Sequence, residues 1–292
     1  MTIDRAGLAS FLRHRRECLQ PEDVGVPRGP RRRTAGLRRE EVAVLCHMST
    51  DYYTRLERQI GPRPSEQMVA SIAQGLHLSL DERDHLFRLA GHRPPPRGPG
   101  GDHVSPGLLR VFDRLGDTAA EIVTELGETL RQTPVAVALL GDATRFTGPA
   151  RSSGYRWFTD PSSRELHAPE DRPFLGRMYA AGLRQVLGVR GPGSRAAELA
   201  ELLLDRSEEF RTLWAAHEVG LHPHERKRYQ HPEDGRLELH CQTLVDPHQG
   251  HYLMTYTAVP GSESHDRLRL LAVLGGQPLD SDRLRADEHG TG

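Results

Sequence analysis

The sequence predicts two domains of different class, an all-α N-terminal domain and an α+β C-terminal one. Apolar residues recur at helical spacing through the first part of the chain. A stretch rich in proline and glycine interrupts that pattern. Late in the chain the apolar period changes to two, at Leu237, Leu239 and Cys241. With 292 residues the chain can bury two modest cores. The expected boundaries are 1–92 for the first domain, 93–103 for a linker, 104–275 for the second domain and 276–292 for a disordered tail.

Each element has a local cause. Leu8, Phe11, Leu12 and Leu19 sit at helical spacing, and Leu37, Val42, Val44 and Leu45 mark a second helix. Ser49 is placed to cap a third, carrying Tyr52, Tyr53 and Leu56, which Gly61-Pro62-Arg63-Pro64 stops. Ser65 caps a fourth through Met68, Val69, Ile72 and Leu76. Asp81 opens a fifth with Leu86, Phe87 and Leu89, ended by Gly91. Between His92 and Gly101, four prolines and three glycines cannot continue a helix. Ser105-Pro106 then reads as N-cap and first position of a helix stopped at Gly116. Residues 118–132 fit two short strands, and helical patterns return at 173–187, 194–204 and 207–216. Leu237, Leu239 and Cys241 alternate with Glu238, His240 and Gln242, and His251 to Val259 is rich in Tyr and Thr, so both segments read as strands.

Charge separates the two parts. Residues 1–98 carry 17 Arg against 12 Asp and Glu, a net +5, whereas residues 99–292 carry −6. A basic first domain suggests a polyanionic partner, and an acidic second one a different task. Cys18, Cys46 and Cys241 are too scattered for a disulfide framework or a cysteine zinc site. His217 and His222 are five apart with Pro223 beyond them, which does not stack two ligands on a helix face, and no metal is expected. No Gly-x-Ser-x-Gly or phosphate-cradling glycine loop is present, and no enzyme is expected. No membrane-length apolar run and no signal-peptide core are found, so a cytoplasmic, nucleoid-associated location is expected.

The informative stretch runs from Leu37 to Glu57. Two short helices flank a tight break at Cys46 to Ser49, with small Ala43 allowing a close crossing. This pattern is a helix-turn-helix whose second helix projects its N-terminal end outward. The outward positions are Ser49, Thr50, Asp51, Tyr52, Thr54 and Arg55, with Tyr53 turned inward; both tyrosines packing is the alternative. Hydroxyls and a guanidinium suit phosphates or base edges in a major groove of double-stranded DNA. Arg38 and Arg39 at the start of the first helix are placed to meet the DNA backbone. So are Arg31, Arg32 and Arg33, unless they form only a solvated loop.

Arg16 with the Leu37–Glu57 stretch resembles the xenobiotic-response-element class of helix-turn-helix. Gly36-Leu37-Arg38-Arg39-Glu40-Glu41-Val42-Ala43, Asp51-Tyr52-Tyr53-Thr54-Arg55-Leu56-Glu57, Gly61-Pro62-Arg63-Pro64-Ser65 and His85-Leu86-Phe87-Arg88-Leu89-Ala90-Gly91 together resemble the MmyB-like regulators. The resemblance continues in Ser207-Glu208-Glu209-Phe210-Arg211-Thr212-Leu213-Trp214-Ala215-Ala216-His217-Glu218-Val219, and in Tyr256-Thr257-Ala258-Val259-Pro260-Gly261-Ser262. It implies a DNA-binding transcription regulator working as a homodimer, with a PAS-like C-terminal domain that holds no cofactor but an apolar ligand such as a fatty acid. It also implies an ion pair between Arg16 and Glu57 that sets the recognition-helix angle. Phe210, Trp214 and His217 are the candidate ligand contacts, although Phe210 and Trp214 at helical spacing equally fit a core. Gln132-Thr133-Pro134 stands where the family usually has a Trp-Asn pair. A DNA-associated protein–protein adaptor without a small ligand is the alternative reading.

Overall fold

The computed structural model describes residues 2–25, 34, 36–95, 101–232, 235–246 and 249–275. Arg31, Arg32 and Arg33 and the 276–292 tail lie outside the described residues. The chain divides into two compact units, Met1–Leu115 with Val245–Leu253, and Gly116–Leu244 with Met254–Gly292.

The first unit is helical: α1 (Arg5–Cys18), α2 (Arg39–Leu45), α3 (Thr50–Glu57), α4 (Glu66–Gly75), α5 (Leu80–Leu89) and α6 (Pro106–Phe112). Its core joins Leu8 and Leu12 of α1 to Val42, Ala43, Tyr53, Ile72, Leu86 and Phe87. Val44, which helped to mark α2, is 75% exposed and plays no part in that core. Caps set the helix starts. Ser49 and Ser65 each accept a backbone N–H from three residues on, at 3.2 Å. The fifth helix starts one residue earlier than expected, at Leu80. Ser79 and Glu82 form a reciprocal capping box there, with the Ser79 N–H donating to Glu82 Oε2 at 2.9 Å.

The helix ends share one device. In α2 to α5 the residue after the cap is left-handed: His47 (φ 51°), Gln59 (φ 63°), His77 (φ 48°) and Gly91 (φ 82°). The next amide then reaches back five residues: Met48 N to Ala43 O (2.9 Å), Ile60 N to Arg55 O (2.9 Å), Leu78 N to Ala73 O (2.9 Å) and His92 N to Phe87 O (2.8 Å). This is the Schellman closure, and three of the four use a residue with a Cβ in place of glycine. Beyond α5, His103 Nε2 lies 2.7 Å from Leu78 O, and Val104 exchanges two hydrogen bonds with the Gln74 amide. Ser105 donates to Asp246 at 2.8 Å.

The second unit is α+β. The strands are β1 (Ala119–Thr124), β2 (Thr129–Gln132), β3 (Arg226–His231), β4 (Gly235–Asp246) and β5 (His251–Thr257), in sheet order β2-β1-β5-β4-β3, with Val245 and Asp246 of β4 and His251–Leu253 of β5 counted in the first unit. β1 pairs antiparallel with β2, and β3 with β4, where Tyr229 faces Leu237. The period-two residues Leu237, Leu239 and Cys241 are all buried. The helices are α7 (Pro134–Leu140), α8 (Ser153–Thr159), α9 (Arg172–Arg190), α10 (Arg195–Arg206), α11 (Glu208–Ala215) and α12 (Glu263–Gly275). Sequence reading assigned no element to α7, α8, α12 or β3. Two of the four are seven-residue helices, too short for periodicity to show. Gln132-Thr133-Pro134 builds the start of α7. Thr133 accepts from Ala136 N at 3.2 Å and donates to Thr118 O at 2.7 Å, and Gln132 accepts from Ala143 N at 2.8 Å.

The left-handed, exposed Gln59 is the natural site for stabilisation. A Cβ in that region costs ~1–2 kcal/mol, partly offset by the ~0.5–1 kcal/mol entropic cost of glycine. Gln59→Gly is therefore expected to raise the urea midpoint modestly. A lower midpoint would show that the Gln59 side chain makes a contact worth more than the strain.

Candidate nucleic-acid interface and a buried polar cluster

The helix-turn-helix is assembled around one buried carboxylate. The side chain of Glu57, the last residue of α3, is fully buried, and Arg16 from α1 is 7% exposed. Arg16 Nε donates to Glu57 Oε1 at 2.6 Å and Nη2 reaches Oε2 at 3.4 Å. Arg39, the first residue of α2, donates to Glu57 Oε2 through Nε at 2.8 Å, with Nη2 also at 2.8 Å. Arg13 Nη2 reaches the Glu57 carbonyl at 3.4 Å. Burial alone would raise the Glu57 pKa. Hydrogen bonds and charge from Arg16 and Arg39 outweigh that and hold it below the usual carboxylate value.

The same arginine fixes the entry to α2. Arg16 Nη1 donates to Leu37 O at 3.2 Å, while the Arg16 carbonyl accepts from Leu37 N at 2.9 Å. Gly36 lets the chains approach, since a Cβ there would lie 2.5 Å from the carbonyl oxygens of Arg16 and Glu17. Gly75 does the same behind the turn, where a Cβ would lie 2.6 Å from Cys46 Sγ. Tyr53 is fully buried, and its hydroxyl donates to Leu12 O at 3.4 Å.

The candidate DNA contacts fall into two sets. Ser49, Thr50, Asp51 and Arg55 are exposed at the N-terminal end and outer face of α3. Ser49 is also the cap, and Arg55 meets Asp51 at 3.1 Å one turn away. Tyr52 and Thr54 are only half-exposed, and the Tyr52 ring packs on the edge of the helical core. At the start of α2, Arg38 and Arg39 are both exposed; Arg38 reaches Glu40 at 3.5 Å, whereas Arg39 pairs with buried Glu57. Periodicity found the residues of α3. It could not find the attachment of Arg39, which lies 18 positions from its partner.

In the second unit, Phe210 is fully buried, edge-on to Phe158 at 5.1 Å and stacked on Trp214 at 5.2 Å. Trp214 is half-buried beneath the Arg184 guanidinium, 3.9 Å from its ring centroid. His217 is exposed, with Nδ1 3.2 Å from Arg184 Nη1. Phe210 thus serves the core, and Trp214 and His217 flank one arginine at the end of α11.

Sequence reading missed a buried polar group nearer the sheet. Glu121 stands in β1, whose six residues are all buried. Tyr256 donates to its Oε1 at 2.6 Å and Thr129 to its Oε2 at 3.4 Å. Burial pushes the Glu121 carboxyl upward in pKa, and it pushes the Tyr256 and Tyr229 hydroxyls well above their ordinary value. His167, edge-on to Trp157 at 5.5 Å, is pushed down to about 4 by the same cause. Lys227 lies 5.5 Å from the Tyr256 ring centroid. The one signal available was a single acid inside the apolar run Ala119-Ala120-Glu121-Ile122-Val123.

Two family models match the chain. A helix-turn-helix domain model covers residues 8–86, and a model described as the MmyB-like transcription regulator ligand binding domain covers residues 104–271. No curated protein matches the chain. Among the described residues, no helix is long and apolar enough to cross a membrane.

Glu57→Gln or Arg16→Ala is expected to cost ~3–5 kcal/mol in urea unfolding, because each leaves buried charge uncompensated. Loss of under 1 kcal/mol would make the pair a mere surface contact. Since the folded pKa of Glu57 is depressed, its stabilisation is complete above the unfolded carboxylate value. It disappears as the pH falls through the lower folded value, so wild type and Glu57→Gln should converge in acid. Glu121 has the opposite sign. Its folded pKa is raised, so its stability contribution is full below the unfolded value and falls as the pH rises. Glu121→Gln keeps the acceptor for Tyr256 and should gain on wild type between pH 5 and pH 8 in the same assay; a constant gap over that range refutes the assignment.

Proposed function

The chain belongs to the MmyB-like transcription regulators, and on that premise we propose that it is a sequence-specific regulator whose DNA affinity is set by a small apolar ligand. The helix-turn-helix supplies DNA binding. The observation that carries the sequence-specific reading is the exposed N-terminal end of α3, held at one angle by the buried Glu57. Thr50, Asp51 and Arg55 would reach base edges, and Ser49, Arg38 and the Arg31–Arg33 run the phosphates. A homodimer would place two recognition helices about 34 Å apart, one turn of the duplex. A fatty acid or similar molecule in the second domain would shift the balance of DNA-competent and incompetent dimers. The cytoplasm, at the nucleoid, is the compartment this role requires.

The test is fluorescence anisotropy of the full chain with fragments of its own upstream region across a salt series. One fragment should be preferred, and affinity should fall steeply with salt. Arg55→Ala should flatten the preference, by about 5- to 100-fold if a base contact is lost, and Arg32→Ala should weaken all fragments alike. Equal affinity for every fragment would overturn the sequence-specific reading. Native mass spectrometry of the purified protein reports a bound lipid, and its absence together with no effect of added myristate on DNA affinity would overturn the ligand reading.

A further inference from the structure

We propose that Arg39 is a positioning residue for DNA recognition and not a backbone contact: its guanidinium clamps the start of α2 to the end of α3 through Glu57. The inference rests on the DNA-binding reading above and assigns a separate task within that site. Position alone would give Arg39 the same role as Arg38, since both are arginines at the N-terminal end of the same helix. Their partners differ. Arg38 has its guanidinium 3.5 Å from exposed Glu40. Arg39 lays Nε and Nη2 on one oxygen of a carboxylate that has no exposed surface.

The Glu57 carboxylate is thereby divided. Oε1 takes Arg16 from α1 at 2.6 Å, and Oε2 takes Arg39 from α2 at 2.8 Å, with Arg16 Nη2 a longer contact at 3.4 Å. The carbonyl of the same residue takes Arg13 from α1. One residue at the end of α3 therefore ties together all three helices that fix the angle of the exposed face. Arg16 alone would anchor α3 to α1 and leave the α2–α3 angle to the four-residue turn and apolar contacts. Arg39 supplies the direct charged link between the two halves of the motif. Arg39 is 42% exposed, close to the 46% of Arg38. What separates the two is the pairing: the Nε edge of Arg39 is committed to Glu57, and a phosphate contact by that edge would break the link. Lysine cannot substitute, because its three N–H groups sit on one nitrogen at the end of a flexible stem and do not reproduce the rigid planar Nε/Nη2 pair that Arg39 directs to Oε2.

A phosphate contact and a clamp predict different numbers. Binding of Arg38→Ala, Arg39→Ala, Arg39→Lys and Glu57→Gln proteins to a preferred and a scrambled duplex is compared with wild type over a salt series. Arg39→Ala should leave the slope of log affinity against log salt unchanged and lower the preferred-to-scrambled ratio by about tenfold. Arg39→Lys should not restore that ratio. Arg38→Ala should reduce the slope by about one and leave the ratio intact. Arg39→Ala in a Glu57→Gln background should lower the ratio no further, since both act through one contact. A slope reduced by one with an unchanged ratio in Arg39→Ala overturns the proposal. Failure of wild type to prefer any duplex would instead count against the sequence-specific reading. Hydrogen exchange on the free proteins decides the clamp without DNA. Amides of α3 should exchange faster in Arg39→Ala but not in Arg38→Ala, and equal exchange in the two overturns it.

Discussion

A carboxylate with no exposure to water is the constraint around which the first unit is organised. Leaving Glu57 ionised in that place is unfavourable unless cations and N–H donors surround it. Arg16 and Arg39 do so from two different helices, and Arg13 takes the backbone carbonyl. Several other features follow from bringing α1 that close. Arg16 must sit beside Leu37 to exchange two hydrogen bonds with it, and only glycine fits at position 36 against the Arg16 and Glu17 carbonyls. Tyr53 fills the space one turn before Glu57, with its hydroxyl on the backbone of α1. The outward face of α3 is thus held from behind, by groups that need not touch DNA at all.

The second unit buries a carboxyl by the opposite route. Glu121 sits in an all-buried strand, and its close partners are hydroxyls rather than guanidinium groups. Burial then favours the neutral acid, and it also favours the neutral forms of Tyr256, Tyr229 and His167 around it. A charged cluster gives a rigid, geometrically exacting joint, which suits a recognition helix. An interior of neutral hydrogen-bonding groups is less demanding in angle, because hydroxyls rotate to suit their partners. The two units thus bury a carboxyl in opposite ways, one ionised among guanidinium groups and one neutral among hydroxyls.

The helical reading of the first unit was legible because its signals are local. Ser49 and Ser65 cap the helices that follow them, and the apolar spacing of Leu8, Leu12, Val42 and Leu56 placed the core. The stops were less visible. Three of the four left-handed closures use His47, Gln59 and His77, where a reader looks for glycine. In the second unit the period of two exposed β4, but β3, α7, α8 and α12 gave too little periodic signal to be assigned.

The sequence by itself determined the class of each domain, the helix-turn-helix and the exposure of Ser49, Thr50, Asp51 and Arg55, since each depends on neighbours within a few positions. It did not determine the half-burial of Tyr52 and Thr54. Tertiary structure decided how the arginines are used. Arg38 and Arg39 are adjacent, chemically identical and similarly exposed, yet one meets its neighbour Glu40 and the other is bound to a buried carboxylate 18 residues away. It likewise brought Tyr256 to Glu121 across 135 residues. The physical reason is that capping and periodicity are properties of a short segment, whereas the pairing of a buried charge depends on which distant groups the completed fold sets beside it.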